Sequence, residues 1–432
     1  MPSRTTQTVY SEGILHGLPT FPDHEGKKYS AIVTGANGIS GSEIVNALAA
    51  APERWEKIYA LSRRPPTNDN PKVHGIAVDF LDNSPEEIAT SLKQSGVEAD
   101  YVFYTSYMQP ATKEGQGLWS NTDELDEINV KLFTNFLEAL AIAKIIPKRI
   151  LLQTGGKHYA LHHGPTTVPM TEGTPNDRYP HANFYFPQED ALTAWCTKHG
   201  SSWNVTRPGF IIGANPTAAI NITYPLAIYA SVQKELGGKL EFPSDVGAWD
   251  AMKDLSTASL IGRFSEWAVL TEEAANEAFN IVDDSPFAYG KFWPTLASWY
   301  GLQYATPTDD EQAYTVVTLP ASPPPRGFGK PGQVKLKFTF EQWSQKPEVK
   351  AAWKRIVERS KLDPALDLFG PGREQLLDDT FRSLDAETLG SWGRIETMDK
   401  AKKLGWHGHV QTDEGIRETL EKMMELKMVP SF

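Results

Sequence analysis

A single cysteine, Cys196, stands in a chain of 432 residues, so no internal disulfide can staple the fold, and a reducing, cytoplasmic setting is expected. No charged-then-apolar leader opens the sequence, which agrees with that setting. Positive charge is in deficit: 42 Lys and Arg against 54 Asp and Glu leave a formal net charge of −12. That balance disfavours nucleic acid or an anionic membrane as the main partner. Long apolar runs are missing too. The longest uncharged stretch, Pro208 to Gln233, is interrupted by Asn215, Pro216, Asn221 and Pro225, and reads as a buried strand end, loop and helix instead of a membrane span. His158, His162 and His163 cluster without an acidic or cysteine partner at ligand spacing, so no metal is expected. None of the 15 tyrosines has a lysine four residues on. A tyrosine–lysine pair displayed on one helix is therefore excluded.

What is present begins with Tyr29 to Thr34, a short apolar run, followed by Gly35-Ala36-Asn37-Gly38-Ile39-Ser40-Gly41 and the helix-like Ser42 to Leu48. This predicts strand, tight turn and helix. Gly35 supplies a positive φ for the turn, Gly38 lets backbone approach a pyrophosphate, and Gly41 lets the helix sit close to the strand. The helix start then offers free N–H groups to phosphate. Strand signals at 57–62, 72–79, 101–105 and 149–154 alternate with helix signals at 85–95 and 121–143. The pattern is that of an α/β protein with a doubly wound parallel Rossmann-type sheet. Residues 29–210 are expected to supply the core of the nucleotide-binding domain, with later segments returning to it. Residues 211–432 should form mainly a helical substrate-binding cap with a C-terminal flap, and residues 1–28 a polar surface wrap.

The end of the second strand selects the nucleotide. A carboxylate there would hold ribose hydroxyls, whereas a 2′-phosphate needs cations. The residues are Ser62-Arg63-Arg64, whose guanidiniums can fork onto a phosphate, so NADPH is the expected cofactor. Asp79, ending the third strand, is expected to accept from the adenine amino group.

Catalysis then needs a lysine and a tyrosine from different elements. Gln153-Thr154-Gly155-Gly156-Lys157-His158-Tyr159 lies at the C-terminal end of the fifth strand, where open α/β sheets bind ligands. Asn183-Phe184-Tyr185-Phe186-Pro187 opens the next helix, which Gly200 is suited to end. Lysine would hold the phenol at a lowered pKa.

Over most of the chain from about Ala31 to Pro430 the sequence resembles the progesterone 5β-reductase and iridoid synthase-like branch of the atypical extended short-chain dehydrogenases. The resemblance is carried by Thr34 to Gly41, Ser62-Arg63-Arg64, Val102-Phe103-Tyr104, Thr154 to Tyr159, Asn183 to Tyr185, Arg207-Pro208-Gly209, Ala248-Trp249-Asp250 and Asn276 to Asn280. It implies Lys157 and Tyr185 as the catalytic pair. It also implies NADPH held by Thr34, Gly35, Asn37, Gly38, Ile39, Ser62, Arg63, Arg64, Asp79, Thr105, Arg207, Pro208 and Gly209, with Tyr107, Trp249 and Phe369 at the substrate pocket and Phe369 near a flap. The implied reaction is hydride delivery to the β-carbon of a small apolar enone or enal, of the kind met in secondary metabolism. Phe186 replaces the second tyrosine of the usual Asn-Phe-Tyr-Tyr, so activity class carries over better than substrate. The alternatives are a carbonyl reductase or nucleotide-sugar epimerase of the same fold, or a catalytically silent NADP(H)-binding regulator. A homodimer is left open.

Overall fold

The computed structural model describes residues 6–21, 26–66, 68–111, 121–173 and 181–432. Seven parallel strands form the central sheet: β1 (Tyr29–Thr34), β2 (Trp55–Ser62), β3 (Val73–Ala77), β4 (Tyr101–Tyr104), β5 (Arg149–Gln153), β6 (Ser202–Pro208) and β7 (Glu277–Ile281). Their spatial order is β3-β2-β1-β4-β5-β6-β7, with every pair parallel. The order reverses direction between β1 and β4, which opens a crevice at the carboxyl ends of these strands. All six residues of β1 are buried, as expected of a strand covered by helices on both faces. Strand β7 reaches the sheet from well beyond residue 210. The helix Ala258–Leu270, also from the second half of the chain, packs on the first helix of the Rossmann unit, Ile39–Ala49.

The turn between β1 and Ile39–Ala49 has the backbone its sequence demands. Gly35 has φ +64°, and a Cβ there would lie 2.8 Å from the Thr105 carbonyl oxygen. At Gly41 a Cβ would stand 2.2 Å from the Gly35 carbonyl oxygen, so only glycine lets the helix begin this close to the turn. Downstream, the helix Pro85–Gln94 starts with a reciprocal capping box between Ser84 and Glu87, and Thr122–Ala143 covers the sheet with Phe133, Phe136 and Leu140.

A second apolar core fills the C-terminal half around Tyr229, Trp293, Trp353 and Phe381. The helix Thr223–Glu235 runs through it, with ten consecutive residues from Thr223 to Val232 buried. No helix among the described residues is long and apolar enough to cross a membrane. Two hairpins were not expected from the sequence. Val9–Glu12 pairs with Leu15–Pro19, whose Leu15 and Leu18 enter the apolar core on one face of the seven-stranded sheet, and Thr315–Thr318 pairs with Gln333–Leu336. In both segments surrounding Gly and Pro masked strands of only four or five residues.

Candidate active site

A cavity of about 680 Å³ runs along the carboxyl ends of the strands. One end is bounded by Gly35, Asn37, Gly38 and Ile39 of the turn, and by Ser62, Arg63 and Arg64 after β2. Both arginines are exposed at the rim. The Asn37 amide donates to the Arg64 carbonyl at 2.7 Å, tying the glycine turn to the arginine loop. Gly38 caps Ile39–Ala49 without a side-chain hydrogen bond, and no acid occupies the first helical turn. Those first N–H groups are therefore available to an anion. Asp79 borders the cavity, with its Oδ1 accepting from the N–H groups of Leu81 and Asp82 at 2.8 and 3.1 Å.

Thr34 and Arg207 lie elsewhere than expected. Thr34 is fully buried; its Oγ1 accepts from the Thr105 N–H at 3.2 Å and its carbonyl from the Thr105 hydroxyl at 2.7 Å. It positions Thr105, which does border the cavity. Arg207 is buried under the site, 3.5 Å from Glu189 and over the Tyr159 ring at 5.7 Å. Its neighbours Pro208 and Gly209 border the cavity, whereas Arg207 itself does not.

Lys157 and Tyr185 meet at the same cavity, although they come from separate elements. Lys157 sits in the 3-10 turn Gly156–Tyr159 directly after β5, and Tyr185 opens the helix Tyr185–His199. Gly200 ends that helix with φ +70°, as the sequence predicts. The phenol oxygen of Tyr185 lies 3.1 Å from where a Cβ on Gly155 would stand. Lys157 reaches past the face of Phe184, with Nζ 5.8 Å from the ring centre. Burial lowers the Lys157 pKa to about 8, against the opposing pull of Asp126.

The expected lowering of the Tyr185 pKa is reversed. Burial pushes this phenol well up, and the Glu189 carboxylate adds to the rise, because a phenolate loses its hydration in a closed site. Tyr185 is therefore a neutral O–H donor at ordinary pH.

Of the three aromatic residues expected at the substrate pocket, only Tyr107 borders it. Trp249 packs edge-on against Phe242 at 5.2 Å and over Gly290. Phe369 packs between Trp353 and Phe381, at 6.1 and 6.2 Å. Both are half-buried against the C-terminal apolar core instead of lining the cavity.

The sequence reading missed the opposite wall. Asp254, Asp379, Arg394 and Glu396 reach the cavity from segments far along the chain. Burial raises Asp254 to about 8 and Asp379 to about 6. Glu396 is also held well above the usual carboxylate range by burial, with the nearby Asp254 adding to it. These residues lie far apart in the sequence, from 254 to 396, so no local pattern signals their convergence.

Among the described residues, His162, His163 and His181 bring three ring nitrogens within 4.8 Å of one another. The sequence reading did not join His181 to the pair. Burial, with Lys157 adding to it, lowers the pKa of His162 and His163, so both imidazoles are neutral at ordinary pH.

Residues 31–320 match the family described as the PRISE-like Rossmann-fold domain. The (S)-8-oxocitronellyl enol synthase of Nepeta racemosa is 33% identical over 414 residues, covering 93% of this chain and 93% of that protein. A short chain dehydrogenase of Penicillium aethiopicum is 29% identical over 406 residues, covering 93% of this chain and 99% of that one. The 3-oxo-Delta(4,5)-steroid 5-beta-reductase of Arabidopsis thaliana is 27% identical over 415 residues, covering 93% of each. Among solved structures, a putative epimerase from Burkholderia cenocepacia J2315 superposes with a TM-score of 0.56 at 14% identity, covering 92% of this chain and 99% of that one, a likeness of fold alone. The sequence motifs, the seven-stranded sheet and the matched residues agree: the chain belongs to the PRISE-like Rossmann-fold family.

Proposed function

We propose that the protein is an NADPH-dependent reductase that saturates the carbon–carbon double bond of an enone or enal. The observation that carries this reading is the convergence of Lys157 and Tyr185 on the cavity that also holds the glycine turn and the arginine pair. The relatives named as an enol synthase and a 5-beta-reductase support the same class of reaction.

The residues fit a phosphorylated dinucleotide. The uncapped start of Ile39–Ala49 suits the pyrophosphate, and Arg63 and Arg64, with Ser62 in place of a carboxylate, suit a 2′-phosphate. When bound, this cofactor supplies a hydride. Addition of hydride at the β-carbon moves negative charge through the conjugated system to the carbonyl oxygen. Tyr185, a neutral donor in a dry site, hydrogen-bonds that oxygen as the charge develops. The Lys157 ammonium adds a positive charge beside the oxyanion. The α-carbon takes its proton from water, so Tyr185 need not be the final acid.

The test is NADPH oxidation against an enone, an enal and the matching saturated ketone. Consumption with the first two and product with an intact carbonyl supports the reading. Turnover of the ketone alone would assign a carbonyl reductase, and binding of NADPH without turnover of any would favour a silent binding protein.

A further inference from the structure

Three segments meet beside the cavity: residues around Met170, Asp254 and Glu396 are joined by backbone bridges Met170 to Glu396 and Lys253 to Arg394. Their side chains put two acids and a guanidinium at the cavity wall. Asp254 Oδ2 accepts from the Glu396 backbone N–H at 2.5 Å, which ties the carboxyl of one acid to the backbone of the other. Glu396 Oε1 is 2.9 Å from where a Cβ on Gly156 would stand. Gly156 adjoins both Lys157 and Gly155, the glycine that touches the Tyr185 hydroxyl. Asp254 Oδ1 lies 3.5 Å from the Cβ position of Gly209, on the same wall.

Burying such groups is costly unless each finds a partner. Glu396 is 5% exposed and borders the cavity, yet its Oε2 has no hydrogen-bond partner among the described residues. Arg394 is 7% exposed and its Nε is likewise unpartnered. The other end of the Arg394 guanidinium is bound to Glu387, through both its carboxylate and its carbonyl. Arg394 still acts on Asp254 and Glu396, and Arg207 on Glu396, but burial outweighs them and holds both carboxyls above the usual range. Burial, with Asp254 opposing a charge on Glu396, keeps the two carboxyls from both ionising at ordinary pH. A protonated carboxyl and the unpartnered Glu396 Oε2 can between them donate to and accept from a hydroxyl.

We infer that Glu396, Asp254 and Arg394 form a polar subsite that binds a second oxygen of the substrate, a hydroxyl remote from the reacting carbonyl. The inference rests on the reductase reading for the enone half of the substrate, and extends it by making that substrate oxygenated instead of wholly apolar. Asp283 and Glu387 act on Asp254, and Glu172 on Glu396, in the sense that opposes added negative charge, so a neutral hydroxyl is favoured over an anion.

Two enones differing by one group provide the test: 4-(4-hydroxyphenyl)but-3-en-2-one and its 4-methylphenyl analogue. Turnover of each with NADPH is measured, together with calorimetric binding of the two saturated ketones to the NADP⁺-loaded protein. The full chain should prefer the hydroxyl compound by at least about tenfold in kcat/KM, chiefly through KM, since a site built to bond a hydroxyl discriminates strongly against its absence. Glu396→Leu should bring the ratio to within about twofold of one, whereas Glu396→Gln, which keeps hydrogen-bonding atoms, should retain part of it. NADP⁺ binding reports whether each variant has folded. Should Glu396→Leu not fold, Asp254→Asn must shift the ratio by at least about threefold. A wild-type ratio near one in both turnover and binding would overturn the subsite, as would a ratio that no variant alters. If neither enone is reduced, the reductase reading fails, and the binding ratio still decides the subsite on its own.

Discussion

The side-chain amide of Asn183 donates to the backbone carbonyl of Lys157 at 3.2 Å, while its oxygen accepts from the N–H of Tyr185, also at 3.2 Å. One buried asparagine thus fixes the 3-10 turn bearing the lysine against the start of the helix bearing the tyrosine. A single helix would supply that geometry automatically to a tyrosine and lysine four residues apart. Here it is built from a loop, a helix end and the amide that joins them. Asn183→Leu should therefore lower kcat by at least about tenfold, because small misplacements of reacting groups are costly. A kcat within about twofold of wild type would show that the two elements hold their positions without it.

The space around the phenol is equally tight. A methyl group at Gly155 would stand 3.1 Å from the Tyr185 oxygen and 3.4 Å from the Pro208 carbonyl. Gly155 has φ 170°, so alanine adds no backbone strain and the effect of Gly155→Ala is steric. It should displace the hydroxyl by a few tenths of an ångström and reduce kcat more than it weakens NADPH binding. Steady-state kinetics beside fluorescence titration of NADPH separates the two.

Replacing Arg63 and Arg64 together by Ala should weaken NADPH and leave NADH nearly unchanged. Each lost guanidinium–phosphate contact is expected to cost about 1.5–3 kcal/mol, roughly a tenfold or greater rise in the Kd for NADPH. Dissociation constants for both nucleotides check this, and an unchanged NADPH/NADH ratio would move the 2′-phosphate site elsewhere.

Lys157 couples activity to stability with a definite sign. Unfolded, it titrates near 10.5; in the folded protein burial lowers this to about 8. Below about pH 8 both states are protonated and the cost of burying the ammonium is fully present. Between about 8 and 10.5 the unfolded chain binds more protons, so stability rises with pH. Lys157→Met should accordingly raise Tm at pH 7 and lose this advantage as pH approaches 10.5, while its turnover falls. In the wild type, kcat/KM should decline as pH rises through about 8, as the ammonium beside the oxyanion is lost. Melting curves and a pH–rate profile test both halves.

Local pattern made the nucleotide half legible. The predicted first strand and turn coincide with Tyr29–Thr34 and the positive φ of Gly35, and helices expected at 85–95 and 121–143 are Pro85–Gln94 and Thr122–Ala143. Period, capping and glycine chemistry are short-range properties, and these elements depend on little else. Lys157 and Tyr185, which both border the cavity, could be singled out because each lies at the end of a recognisable element. The opposite wall was hidden for the converse reason: Asp254, Arg394 and Glu396 acquire their burial and shared bonding only when the second half folds back. Trp249 and Phe369 show the same limit from the other side. An aromatic residue in the sequence states that it will be buried, and whether it lines a pocket or fills a core depends on partners such as Phe242, Trp353 and Phe381.

Hydride destination separates double-bond reduction from every other chemistry open to this fold. Purified protein should be given NADPH deuterated at the transferable C4 position and an acyclic enone, and the product read by deuterium and proton NMR. The account predicts one deuterium at the β-carbon, an intact carbonyl and, because the proton comes from water, no deuterium at the α-carbon. Tyr185→Phe should give the same labelled product about 10²–10³-fold more slowly. Deuterium on a carbinol carbon, or a labelled product formed as fast by Tyr185→Phe as by the wild type, would contradict it.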